Sequence, residues 1–446
     1  MARIAWTLGG RSGRSLARAL APALIAAGCG AADADRTGVV RFWAFGREGE
    51  VVRELVPEFE RRNPGLHVEV QQIPWTAAHE KLLTAFVGNA TPDVAQLGNT
   101  WVPELVALDA LVPLDERISS SKSIERADYF EGIWEANVVD GALWGVPWYV
   151  DTRVLFYRTD LVAASGAKWP PHTWAEWRDA MERISKIGAK DRFAILLPVN
   201  EWDKPLILGL QAKAPLLTEG GRRGGFRDPR FRSAMAFYVD LFAAGLAPPV
   251  TDSGIANLYQ QFSEGYFAML VTGPWNLGEF RRRLPADLQD KWGTAPLPAP
   301  SVEDGYPGVS LAGGSSLVVF RRAVDPEAAW RWVEYLSEPA QQARFYELSG
   351  DLPARPSAWA ATDLDSDPRA AAFRIQLGSV EPLPRVPECE QIANRVADTV
   401  EEVVRGARGL DEALAALDTD VDRMLEKRRF LLDRRARNEA LTENSP

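Results

Sequence analysis

The chain has 446 residues, with 51 Lys and Arg against 61 Asp and Glu and a formal net charge of −10. That acidity counts against a nucleic-acid partner, and the length exceeds what one hydrophobic core comfortably fills, so two domains are expected. Sixteen tryptophans are the outlier: most belong in a core by base rate, yet several stand beside Gly, Pro, Asn or Asp in loops.

Residues 1–28 carry Arg3, Arg11, Arg14 and Arg18, no acid, and an apolar run of small residues, Leu and Ile over 19–27. This is the pattern of an export signal, and the run falls short of the roughly 20 apolar residues of a membrane span. Ala26-Ala27-Gly28-Cys29 resembles a lipobox, in which cleavage before Cys29 leaves that cysteine as a lipid-bearing N-terminus; ordinary signal cleavage nearby is the alternative. Cleavage removes four arginines and no acid, moving the net charge from −10 to −14. Acylation of Cys29 leaves Cys389 alone, so no intramolecular disulfide is expected despite an oxidising compartment. Residues 29–38 read as a linker.

Residues 39–45 form a short apolar strand that breaks at Gly46, with Arg47 and Glu48 in the turn. Val52, Leu55, Val56 and Phe59 keep helical spacing over 50–62, with Pro57 a local fault and Asn63-Pro64-Gly65 the stop. Leu66, Val68 and Val70 then alternate with His67, Glu69 and Gln71 as a second strand. Strand, helix, strand builds a parallel α/β sheet whose ligands gather at the carboxyl ends of the strands, which puts Arg47 and Glu48 in a candidate cleft. Residues 77–87 are again helical in pattern, and 91–97 form a strand closing on Gly98-Asn99-Thr100-Trp101.

The stretch 141–158 reads G-A-L-W-G-V-P-W-Y-V-D-T-R-V-L-F-Y-R. Gly145 and Pro147 interrupt it where Trp144, Trp148 and Tyr149 crowd beside Asp151. Flat rings next to a fixed acceptor suit a ligand with C–H faces and hydroxyl edges, a sugar; plain core packing is the competing reading. G-x-x-W/Y-G-V-P followed by x-Y-x-D-x-x-x-L-x-Y is similar to a pattern of the extracellular solute-binding proteins of family 1, the carbohydrate receptors of ABC importers, where it marks a crossing between lobes. The resemblance extends to P-D-V at 92–94 and to Leu111-Val112-Pro113-Leu114-Asp115. It implies that the turn after the 91–97 strand carries a sugar-hydroxyl ligand, usually a carboxylate; here Asn99 holds the place, and an amide both donates and accepts.

Further along, Thr173 and Glu176 make a T-x-x-E capping box, with Trp174 read as packing. Residues 193–197 are a strand whose end carries Asn200, Glu201 and Trp202, a polar-aromatic loop that either reaches the ligand or stays on the surface. Asp228-Pro229 starts a helix to Gly245. The run 265–275 matches the family's G-x-x-A-M-x-x-x-G-x-W, and the resemblance makes Trp275 the ring on which a sugar stacks; a core indole is the alternative. Residues 297–308 look like a linker or second crossing. Gly313-Gly314-Ser315 resembles the family's paired glycines, where backbone approaches the ligand closely. Asp325-Pro326 caps a helix, and Leu352-Pro353-Ala354-Arg355 resembles L-P-x-R, whose arginine forks onto hydroxyls. Two helices follow over 391–428, split at 406–409, and 428–437 is basic, either a solvated helix end or a contact for anionic lipid.

Against an enzyme stand the missing G-x-S-x-G, G-x-x-x-x-G-K-[ST], G-x-G-x-x-G and C-x-x-C motifs. His67, His79 and His172 lack metal spacing, so no metal or cofactor is expected. A secreted carbohydrate-active enzyme would need facing carboxylates, and Asp151 with Glu201 is the pair the sequence offers. The resemblance, which runs in order over about 39–427, implies an α/β, two-lobed periplasmic-binding-protein-like fold of type II. Lobe I is expected over 39–147 plus about 305–350, lobe II over 148–304 plus about 351–427, and 428–446 is a basic tail. Crossings are expected near 145–151, 297–308 and 350. The implied function is a monomeric substrate-binding receptor, exported and lipid-anchored in a periplasm or on the outer face of the cytoplasmic membrane, that closes on a di- or oligosaccharide and docks on a permease; a glycerol phosphodiester or other polar solute is the alternative cargo. Its candidate ligand-binding residues are Arg47, Glu48, Asn99, Trp101, Trp148, Tyr149, Asp151, Asn200, Trp202, Trp275, Gly314, Ser315 and Arg355.

Overall fold

The computed structural model describes residues 37–187, 192–255 and 257–443. The expected export signal and Cys29 lie outside these residues. Strands Val39–Phe45, His67–Ile73 and Val94–Gly98 pair in parallel, with Val39–Phe45 between the other two. Strand Gly313–Val319 lies antiparallel to Val94–Gly98, and beyond it come Val146–Asp151 and Leu352–Pro353, completing a six-stranded sheet. A second sheet of four strands runs in the order Trp292–Ala295, Val154–Arg158, Phe267–Thr272, Phe193–Leu196. Two sheets with helices packed on them make two lobes.

Local sequence explains the helix starts. Pro57 sits in the first turn of helix Val56–Arg62, so the fault in the 50–62 pattern begins a helix instead of kinking one; helix Glu48–Val51 and a 3₁₀ turn precede it. The Glu176 amide donates to Thr173 Oγ1 at 3.2 Å, and Asp228 and Asp325 accept from Arg230 and Ala328 amides. Trp174 packs as read, stacked on Phe237 and donating to Gln211.

The change of sheet falls later than the expected lobe boundaries at 148 and 351. Val146–Asp151 pairs along its length with Gly313–Val319, so Gly145 and Pro147 mark the start of a strand of the first sheet. The chain passes to the second sheet at 152–153. It returns through Ser310–Leu311, which pairs in parallel with Val380–Glu381. It leaves again after helix Pro356–Trp359, since helix Pro368–Leu377 packs on Trp292–Ala295. Helices Cys389–Val404 and Leu410–Met424 pack on the second lobe's Pro229–Ala243. The basic tail continues as helix Glu426–Glu443; Arg428 and Arg429 donate to the Gly221 and Arg222 carbonyls, so these two charges are tied to the protein.

Candidate functional site

A cavity of about 660 Å³ opens between the lobes, at the carboxyl ends of the first sheet's parallel strands. Its first-lobe wall grows from three strand ends. After Phe45 the chain turns into Glu48, whose carboxylate accepts from Tyr149 Oη at 2.9 Å and from Trp75 Nε1 at 3.3 Å. Tyr149 Oη in turn accepts from Gln96 Nε2 and Ser315 Oγ, and Gln96 is itself oriented by the Phe45 amide. Burial pushes the Glu48 carboxyl up despite these donors. Asp351 lines the same wall, and burial followed by the nearby Glu48 charge raises it to about 8. Arg47 also lines the cavity and donates to the Leu348 carbonyl.

After Gly98 the chain presents Asn99, whose Oδ1 accepts from Ser316 Oγ at 3.0 Å while its buried Nδ2 has no protein partner. Trp101 and Trp75 form an aromatic wall with ring centroids 5.6 Å apart. Across the cleft, Glu390 accepts from Trp101 Nε1 at 3.1 Å and from Thr100 Oγ1.

The second-lobe wall centres on Trp275, the first residue of helix Trp275–Arg283 and 41% exposed. A Cβ on Gly273 would lie 1.9 Å from its ring, so glycine lets the indole lie back over the turn. Arg153 sits 4.8 Å from the ring centroid. Its Nε donates to Asp203 at 2.6 Å and its Nη1 to Asp151. Burial alone would raise Asp203, but Lys204 and Arg153 more than offset it and hold the carboxyl at about 2. Asp151 ends raised, because burial and the Asp203 charge outweigh Arg153.

Of the residues expected from sequence, Arg47, Glu48, Asn99, Trp101, Tyr149, Asp151, Trp202, Trp275, Gly314 and Ser315 line this one cavity. Three do not. Trp148 alternates to the opposite face of its strand from Tyr149 and Asp151, where it is 1% exposed and packs on Phe42 and Phe345. Arg355 is buried away from the cleft, donating Nε to Asp128 and Nη1 to the Ser123 and Ser337 carbonyls, which bolts a loop to a helix end. Asn200 turns outward to accept from the Asp252 amide. Gly314 also needs a different explanation from close ligand approach: at φ +130° a Cβ would fall 2.3 Å from the Tyr149 carbonyl oxygen, so the neighbouring strand demands the glycine. Trp75, Arg153, Asp351 and Glu390 join the lining unforeseen. Trp75 follows a strand end and was findable by that rule; Glu390 reaches the site only through the fold.

Residues 46–343 match the family model of the bacterial extracellular solute-binding proteins. The chain belongs to that family. Among solved relatives of this solute-binding protein, the sugar-binding protein MalE of Xanthomonas citri is 48% identical, with a TM-score of 0.84 over 89% of this chain and 99% of that one. The diacetylchitobiose binding protein DasA of Streptomyces coelicolor is 24% identical over 344 residues, 76% of this chain and 78% of its own. The maltodextrin-binding protein MdxE of Bacillus subtilis is 23% identical, over 77% and 79%. The two-lobed architecture is that of MalE. Among the described residues no group of three or more His, Cys, Asp or Glu is placed to hold a metal ion, and no helix is long and apolar enough to cross a membrane.

Proposed function

We propose that this solute-binding protein is the receptor of an ABC importer and takes a saccharide in the interlobe cavity. What carries the reading is the pairing, across one cleft, of a partly exposed indole, Trp275, with polar groups fixed by their own hydrogen bonds: Glu48, Asn99 and Asp151. Rings take the C–H faces of a sugar while carboxylates and the unpartnered Asn99 amide take its hydroxyls. Relatives named for diacetylchitobiose and maltodextrin binding point to the same class of cargo. A phosphodiester fits less well, since Arg153 is engaged by two carboxylates, and Arg47 and Arg385 donate to carbonyls. Binding without turnover is part of the reading. Asp151 lines the cavity and pairs with Arg153, whereas Glu201 pairs with Lys204 and is not among the cavity's described lining residues, so the two do not face one another across the cleft as a glycosidase's pair must.

On this reading the protein works as a monomer, anchored through acylated Cys29, and hands its cargo to a permease. Closure about the passes at 152–153 and 310–312 buries the sugar. A thermal-shift screen against mono- and disaccharides and glycerol phosphodiesters tests it: a ligand at 100 times its Kd stabilises by about 2.7 kcal/mol. A saturable shift with a saccharide, which is then recovered uncleaved, is expected; a shift with the phosphodiesters alone would overturn the sugar, and breakdown of the saccharide would overturn the receptor. Substituting Cys29→Ala should release the protein from the membrane fraction.

A further inference from the structure

The cleft is closed at one end by a segment that has a second groove behind it. Pro382, Leu383, Pro384 and Arg385 line the interlobe cavity on one side and, on the other, a groove of about 660 Å³ between the 135–141 turns and the 210–221 region. The segment is fastened at both ends. At its start, Val380–Glu381 pairs with Ser310–Leu311, and the Ala312 amide donates to the Glu381 carbonyl at 2.9 Å. Further on, Arg385 Nη1 donates to the Glu135 and Val138 carbonyls, both at 2.9 Å, tying the second lobe's chain to the first lobe. Glu390 then makes its bonds to Thr100 and Trp101. Two prolines within four residues stiffen the span between these ties.

The two sides of the segment differ in chemistry. The cavity side is walled by Trp75, Trp101, Tyr149, Trp202 and Trp275. The far groove is lined by aliphatic residues such as Val138, Leu210 and Leu216 together with the charged Glu135, Asp140 and Arg428, and no aromatic ring is among its described lining residues. A saccharide chain extending past the segment would lose every stacking surface and break the Arg385 ties.

We propose that residues 382–390 are a stop that sets the length of the saccharide this protein accepts, with Pro382, Pro384 and Arg385 as the specificity-determining residues. The proposal rests on the saccharide reading of the cleft. A pocket of this volume encloses a small ligand nearly completely, and the stop keeps a longer glycan from threading through.

The test is titration calorimetry with a series of one to six units of whichever linkage the wild-type protein binds as a disaccharide. The wild type should bind the six-unit chain at least tenfold more weakly than its best short member. Pro382→Gly, Pro384→Gly and Arg385→Ala together should raise the affinity for six units relative to two by at least tenfold. Should the triple variant fail to melt as a folded protein, Arg385→Ala alone carries the test, with an expected gain in the same ratio of at least threefold. Length-independent binding by the wild type, or an unchanged ratio in the folded variant, would overturn the stop while leaving the saccharide reading intact. Failure to bind any saccharide at any length would overturn that reading, and the stop with it.

Discussion

Two tryptophans separate binding from stability. Trp275 is 41% exposed in the cleft, whereas Trp148 is 1% exposed between Phe42 and Phe345. Trp275→Ala should therefore weaken saccharide binding at least tenfold, about 1.4 kcal/mol, with an unchanged urea midpoint. Trp148→Ala should cost about 3–5 kcal/mol of stability; a variant of normal midpoint and lost affinity would reverse the two roles. Asp351 supplies a pH test. Its carboxyl is raised to about 8 from an ordinary 3.8, by burial and then by Glu48. The folded protein thus keeps a proton that the unfolded chain has already released, so this group's contribution to stability is fully present below pH ~4 and is lost as pH rises toward 8. Asp351→Asn removes that dependence. Melting measured at pH 5 and pH 8 should show the variant gaining on the wild type at the higher pH, and an equal difference at both would contradict the account.

At the scale of elements, strand ends and helix caps were legible because their signals are local. Gly46, Gly98 and Gly273 mark where strands stop, and Asn99 and Trp275 lie in the cleft as the strand-end rule requires. The rule failed where an element's face decides. Trp148 and Tyr149 are adjacent and equally aromatic, and only the strand's alternation sends one to the core and the other to the cleft wall. Arg355 has the right motif, but the carbonyls that capture it come from Ser123 and Ser337, which no local pattern links to it. The Gly273 turn is itself testable. A Cβ there would meet Trp275 at 1.9 Å, so Gly273→Ala should displace the indole and weaken saccharide binding at least fivefold while circular dichroism stays unchanged. Wild-type affinity in that variant would show that the ring's position over the turn does not matter.

For the molecule as a whole, two lobes followed from chain length and from alternating strand and helix patterns, but the passes between them did not. Those at 152–153 and 310–312 are fixed by pairing between strands up to about two hundred residues apart, and the one after Trp359 by helix Pro368–Leu377 packing on Trp292–Ala295. The same distance hid Glu390, whose partners Thr100 and Trp101 lie 290 and 289 residues away. What joins the lobes is thus a set of contacts around a cavity whose walls combine hydrogen-bonded carboxylates with indole rings, Trp75 and Trp101 on one side and Trp275 on the other. The most direct test of that arrangement is titration calorimetry of the wild-type protein with the saccharide panel. The account predicts saturable binding of one saccharide per chain with a negative heat-capacity change, as expected when apolar ring faces are buried. Heat-silent, unsaturable mixing with every saccharide in the panel would contradict it.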